Sequence, residues 1–194
     1  MKVLIQGLAV GLLLLVVAGQ SVAQEAKGFR ADLLGQIQYA QKEIMDLEDA
    51  IPEAKMTWRP EKGVRSVSEV YLHIAHSNYL FGKFAGLTLP EGVSVASESD
   101  ANAWDKSTTN KKEISEKLAK SFDFIKDGIK NMSDAALENS VSFFGQPMTV
   151  RGVLMAELAH MHEHLGQSIA YARTNHIVPP WTAAELAAKK DKKN

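Results

Sequence analysis

Four stretches of this chain repeat apolar residues at spacings of three and four, and that rhythm is the strongest limit on what it can fold into. Phe29, Leu33, Ile37, Ala40, Ile44 and Leu47 make the first stripe, which stops near Ile51-Pro52. Val67, Val70, Ile74, Ser77, Phe81 and Phe84 make the second, opened by Ser66 and Glu69 in capping-box spacing. Ile114, Leu118, Phe122, Ile125, Ile129 and Met132 follow, with Asn110 as cap. Val150, Leu154, Leu158, Met161, Leu165 and Ile169 form the fourth, from about Thr149 to Thr174. This is the period of helices that bury one face, and no convincing strand pair interrupts it. The expected fold is all-α: a four-helix bundle with long connections and a short extra C-terminal helix. That last helix follows Pro179-Pro180, where Thr182 and Glu185 repeat the capping-box spacing.

Two connections are long. Thr88 to Thr109 is a link bearing Gly, Ser and Asp, with Trp104 inside it. From Ser133 to Met148 the sequence offers Ser133-Asp134 as the cap of a helical turn and Phe143-Phe144-Gly145 as a β-like turn. Long connections let neighbouring helices of a bundle run parallel as well as up and down. The terminal KKDKKN reads as a solvated tail.

Residues 1–23 carry a different signal. Lys2 precedes an apolar run from Leu8 to Gly19, and Ser21-Val22-Ala23 supplies small residues before a cleavage point. The run is about a dozen residues, whereas a membrane-spanning helix needs roughly 20, so a signal peptide is expected ahead of a retained anchor. The mature domain is then residues 24–194, exported to a periplasm or secreted, with no stable membrane span left after cleavage. Lys2 is the only charge removed, which takes the formal charge from −1 to −2. That balance gives no reason to expect nucleic acid, whose binding depends on neutralising phosphates. The absence of cysteine excludes disulfides, thiolate metal sites, covalent haem attachment and a cysteine nucleophile.

The chemistry lies in the histidines. His160 and His164 stand four apart on the fourth helical stretch, about 5–6 Å from each other on one face. A third imidazole from a facing helix would complete a three-ligand metal site with one position open for water or substrate. His73 or, one turn later, His76 can supply it. Hydrogen-bonded core histidines are the competing reading, and the spacing alone leaves both open. His162 falls on the opposite face and is expected at the surface.

Trp58-Arg-Pro60, then SVSEVYLHIAH from Ser66 to His76, resembles the second-helix signature of the DinB-like superfamily. HMHEHLGQSIAYARTNHIVPP, from His160 to Pro180, resembles that family's last helix, with His160, His164, Gly166, Gln167, Arg173 and Pro179 at the motif positions. The resemblance implies a four-helix bundle in which His73, His160 and His164 bind a divalent transition metal, nickel, zinc or similar. His73 falls on the upstream ligand, ahead of His76. It also implies two activities on an unknown small-molecule substrate: transfer of a low-molecular-weight thiol to an electrophile, or metal-dependent hydrolysis. Export weakens the first, since such thiols work mainly in the cytoplasm. A non-enzymatic envelope or stress protein that binds a metal or small molecule is the alternative. A haem bundle is disfavoured because axial ligands approach from opposite sides. Dimers are common among such bundles, so a homodimer is a further expectation.

Glu157 is the catalytic candidate, as a proton acceptor or a partner orienting a histidine, though a surface carboxylate is the favoured reading. Glu69 is explained by its cap. Gly166 is expected to allow close helix approach and Gln167 to line the pocket. Arg173 and His176 suit the helix dipole. Trp58 and Trp104 are expected to cover the open end of the bundle.

Overall fold

The computed structural model describes residues 26–95 and 98–191. The expected signal peptide, residues 1–23, lies outside them. The four apolar stripes become α1 (Phe29–Ala50), α2 (Val67–Phe84), α4 (Lys111–Asn131) and α5 (Val150–Thr174). Their buried positions keep the sequence rhythm: Leu33, Ile37, Ala40, Ile44 and Leu47 on α1, and Ile114, Leu118, Phe122, Ile125 and Ile129 on α4. Helices α1 and α2 each pack against both α4 and α5. The bundle is therefore a ring in the order α1, α4, α2, α5, with the sequence neighbours α1 and α2 across a diagonal. No described helix is long and apolar enough to cross a membrane.

Helix α2 is held from its first turn. Glu69 N–H donates to Ser66 Oγ at 3.4 Å and Ser66 N–H to Glu69 Oε2 at 2.9 Å, completing the expected capping box. The preceding loop satisfies two more of the free amides: Val67 donates to the Trp58 carbonyl and Ser68 to the Met56 carbonyl. The Trp58-Arg-Pro60 segment thus fixes where α2 begins.

Three expectations need correction. The link from Thr88 to Thr109 contains a helix, α3 (Glu98–Asp105), packed on α2. Its eight residues hold a single large apolar side chain, Trp104, too little for a visible stripe. A strand pair does exist: β1 (Ser140–Phe143) and β2 (Gln146–Thr149) pair antiparallel, Phe143 opposite Gln146. Phe144 and Gly145 join them with φ of 48° and 81°, the two positive values of a type I′ turn. Four residues per strand are too few to show alternation. Helix α6 (Pro180–Asp191) starts two residues before Thr182, so the Thr182–Glu185 pair is no capping box. Pro180 takes the first helical position, where its fixed φ is favourable and no amide is needed.

Strand β2 runs directly into α5, where Thr149 accepts a hydrogen bond from Gly152 N–H. Helix α5 ends in a Schellman motif: Ile177 N–H donates to Ala172 O, His176 N–H to Arg173 O, and His176 takes the left-handed position at φ 60°. The role of His176 is thus set by the backbone.

Candidate metal centre

His73 sits midway along α2, and His160 and His164 one turn apart on α5. The bundle brings the three imidazoles together. His160 Nε2 lies 3.2 Å from His73 Nε2 and 3.0 Å from His164 Nε2, and the three ligand atoms fall within 4.8 Å of one another. Two nitrogens bound to one ion at about 2.0–2.1 Å with tetrahedral angles stand about 3.3–3.4 Å apart. The two separations from His160 are close to that value.

The outer face of each ring decides which nitrogen can ligate. At His164 the answer follows from a chain of hydrogen bonds with a fixed direction. The Arg65 carbonyl can only accept, so Tyr171 Oη–H donates to it at 3.1 Å. Tyr171 then accepts from Gln167 Nε2 at 3.0 Å, which turns Gln167 Oε1 toward His164 Nδ1 at 2.8 Å. His164 Nδ1 must carry the proton, and Nε2 is left as a lone pair aimed into the cluster. At His73 the partner is Asp105, whose Oδ1 lies 3.5 Å from Nδ1, an ion-pair contact outside hydrogen-bond geometry. A carboxylate facing Nδ1 again favours the proton there and the lone pair on Nε2. His160 Nδ1 has no partner among the described residues. Two lone pairs therefore face one further nitrogen: either His160 Nε2–H is shared between them, or a cation sits among all three. The three-histidine group can hold a metal ion.

The surroundings favour the neutral form of His160 and His164. Burial pushes His160 down to about 3, with help from the neighbouring His164, His73 and Arg65 charges. Burial also lowers His164, against the Gln167 hydrogen bond. Neutral imidazole is the form that binds metal. On one side Phe81 covers His160, ring centroids 5.5 Å apart, and Phe143 stacks behind it at 5.3 Å. On the other side Asp105 and Gln167 border a cavity of about 520 Å³. Burial alone would raise the Asp105 carboxyl, but His73 and Arg65 outweigh it and hold it below the ordinary carboxylate range.

The remaining candidates divide. His162 is exposed, as expected, and its Nδ1 meets the Leu158 carbonyl of its own helix. His76 is buried beside Trp104 with Nε2 unpartnered, and lies outside the three-histidine group. Glu69 serves its cap and pairs with Arg59 at 2.9 Å. Trp58 packs edge-on against Tyr171, the relay residue, and Trp104 lies against Tyr79. Glu157 is no surface carboxylate: it is 0% exposed, and neither oxygen has a hydrogen-bond partner among the described residues, so it orients no histidine. Burial holds its carboxyl well above the ordinary range. Gly166 is exposed with open space around it, so it serves no close approach. The tight contacts are at Gly82, Gly128 and Gly152, where a Cβ would overlap Phe124, Leu87 and Met148 respectively.

Sequence reasoning missed Asp105 and Arg65. Nothing local marks either, because both act through α3. Tyr171 had a signal, since it shares the face of α5 that carries His160, His164 and Gln167.

The sequence matches the family model described as the DinB superfamily over residues 36–168. Among solved structures, a DinB-like protein from Bacillus cereus superimposes with a TM-score of 0.67 at 19% identity, covering 77% of this chain and 95% of that one. A conserved protein from Enterococcus faecalis gives 0.59 at 16%, covering 76% and 97%. A variant of mycothiol-dependent maleylpyruvate isomerase gives 0.60 at 10%, covering 70% of this chain and 59% of its own. At such identities these likenesses speak for the fold alone. No curated protein matches the sequence.

Proposed function

We propose, from the premise that this chain belongs to the DinB superfamily, that it is an exported protein whose His73, His160 and His164 hold one divalent transition ion and use it on a small-molecule substrate. The observation that carries the reading is the fixed hydrogen-bond direction from Arg65 O through Tyr171 and Gln167, which leaves His164 Nε2 free to ligate. A bound ion would lower the pKa of a water or thiol in its open position and supply a nucleophile near neutrality. Imidazole donors suit zinc, nickel, iron and copper alike, so the class of ion is proposed and not its identity.

The protein's own contribution is to orient and exclude. Asp105 and Gln167 turn two rings inward, while Phe81 and Phe143 keep water from one side. The nucleophile separates the two reactions. Thiol transfer is supported by the fold shared with a protein whose name states mycothiol dependence. Hydrolysis is supported by the expected export, away from cytoplasmic thiols.

A non-enzymatic metal-binding role is the second reading. It is favoured by Glu157, whose carboxyl reaches no histidine and offers the site no proton acceptor.

The first experiment is metal content by ICP-MS on tag-free residues 24–194 after reconstitution, beside His160→Ala and His73→Ala. About one ion per chain is expected in the wild type and none in either variant, with helical circular dichroism intact. Undiminished metal in the variants, or none in the wild type, overturns the site. Turnover of thiol-transfer or ester substrates by the loaded protein then separates enzyme from binder.

A further inference from the structure

The cavity beside the histidines has a charge pattern that the metal does not explain. Its lining includes three cations, Arg59, Arg65 and Lys106, and two carboxylates, Glu69 and Asp105. Both carboxylates are engaged. Glu69 accepts from Arg59 Nη2 at 2.9 Å, from Arg59 Nη1 at 3.2 Å and from its own cap amide. Asp105 accepts from Arg65 Nε at 2.7 Å and faces His73. Arg59 also donates to the Val64 carbonyl, which occupies its fork. Arg65 is different: only Nε is committed, and its two terminal nitrogens have no hydrogen-bond partner among the described residues. Lys106 likewise forms no ion pair there. A guanidinium pinned through Nε to a buried carboxylate keeps its terminal edge fixed. That edge matches the two oxygens of a carboxylate, with little side-chain freedom left to lose.

We propose that this cavity is the subsite for the anionic end of the ligand, a small-molecule carboxylate. Arg65 receives it on its terminal nitrogens and Lys106 supplies the second charge, while the reactive end lies toward the three histidines. The volume, about 520 Å³, suits a small molecule. Asp105 and Gln167, which orient His73 and His164, line the same cavity and therefore stand between the two ends of the ligand. The inference rests on the metal-centre reading for where the reactive end goes, whereas the anion subsite stands on Arg65 and Lys106 alone.

The test uses succinate as probe and its neutral analogue succinamide, titrated by NMR into residues 24–194, both metal-free and loaded with cobalt. Wild type is expected to bind succinate at least about tenfold tighter than succinamide in the metal-free state. The variant Arg65→Gln with Lys106→Gln should lose that preference. If the double variant fails to fold, Lys106→Gln alone should lose about half of it on a logarithmic scale, as removal of one of two cations predicts. Equal binding of the two probes, no binding of succinate, or a preference undiminished in the variants overturns the proposal. Cobalt content is read on the same samples. A wild type that takes up no cobalt overturns the metal centre, and the metal-free titration still decides the subsite. Cobalt bound with no preference for succinate overturns the subsite and leaves the metal centre standing.

Discussion

The histidine cluster and the buried glutamates are polar groups sunk into the same helical bundle, and the protein treats them in opposite ways. His164 is hydrogen-bonded on its outer nitrogen and His73 faces the Asp105 carboxylate there at 3.5 Å, so both inner nitrogens are turned toward His160. Among the described residues, Glu157 has no hydrogen-bond partner on either oxygen, and Glu48 lacks one on Oε1. Desolvation acts on both regions: it lowers His160 to about 3 and raises Glu48 to about 7. His160 and His164 are held neutral in consequence, whereas burial favours the neutral acid at Glu157, and at Glu48 it is only partly offset by Lys111 and the Ser115 hydroxyl. Burial and a shifted pKa are common to the two regions; the acceptors behind the rings are what separate a prospective site from an isolated polar group.

The largest effect should come from removing those acceptors. Gln167→Leu ends the relay from Arg65 O, and Asp105→Ala frees His73 Nδ1. Each should weaken metal affinity about 10–100-fold, read by competition with a chelator of known affinity. Unchanged affinity in both would mean that packing alone orients the rings, and the contrast with the glutamates would collapse.

Glu157 gives the next effect, with the opposite sign for stability. Its carboxyl is fully buried and unpaired, so Glu157→Met, similar in volume and apolar, should raise unfolding free energy by about 1–2 kcal/mol in urea at neutral pH. A loss of that size would show that the carboxyl has a compensating role in the core. Metal affinity should not change, since Glu157 bonds to no histidine.

Glu48 should show a smaller effect that depends on pH, because Lys111 and the Ser115 hydroxyl partly offset its burial. The folded chain holds a carboxyl proton that the unfolded chain releases between the ordinary value of 4.5 and about 7. Its contribution is full below about 4.5 and is lost as the pH climbs through 7. His160 runs the other way in the metal-free protein: with its pKa lowered from 6.5 to about 3, its contribution is present above 6.5 and drains as the pH falls. Glu48→Gln should therefore stabilise more at pH 8 than at pH 5 relative to wild type, by urea unfolding without metal. A difference that stays constant across that range would mean that the Glu48 carboxyl does not titrate with folding.

What could be read in advance follows the same division. The Ser66–Glu69 cap and the His160–His164 pair were legible because their geometry is local, set by spacings of three and four on one helix. His73 was legible as a residue, but its place in the cluster needed a family resemblance, since periodicity left His76 equally eligible. Asp105 was out of reach: it arrives on α3, whose composition shows no helical stripe, and its partners His73 and Arg65 belong to another part of the chain. Glu157 was misplaced because a helical wheel puts it at the edge of the apolar face. Whether an edge is covered depends on what packs there, and both α1 and α2 pack against α5. The turn at Phe144-Gly145 was legible as β-like, but its two strands were lost to brevity, and the start of α6 at Pro180 to a coincidental capping pattern.

Gly166 carries the smallest prediction, and it separates position in the sequence from participation in the site. It lies between His164 and Gln167, and its motif position suggested a role in close helix packing. Its face is instead exposed, and a Cβ added there would meet nothing within 4 Å. A glycine in the interior of α5 therefore costs helix stability without a contact in return, and alanine should recover about 0.5–1 kcal/mol. Gly166→Ala should raise the urea midpoint correspondingly and leave metal affinity unchanged, because neither the Gln167–His164 bond nor the Asp105–His73 contact involves it. Destabilisation would restore the close-approach reading. A gain in stability joined to a loss of affinity would show that ring orientation depends on local helix flexibility, which the directed hydrogen bonds at His164 argue against.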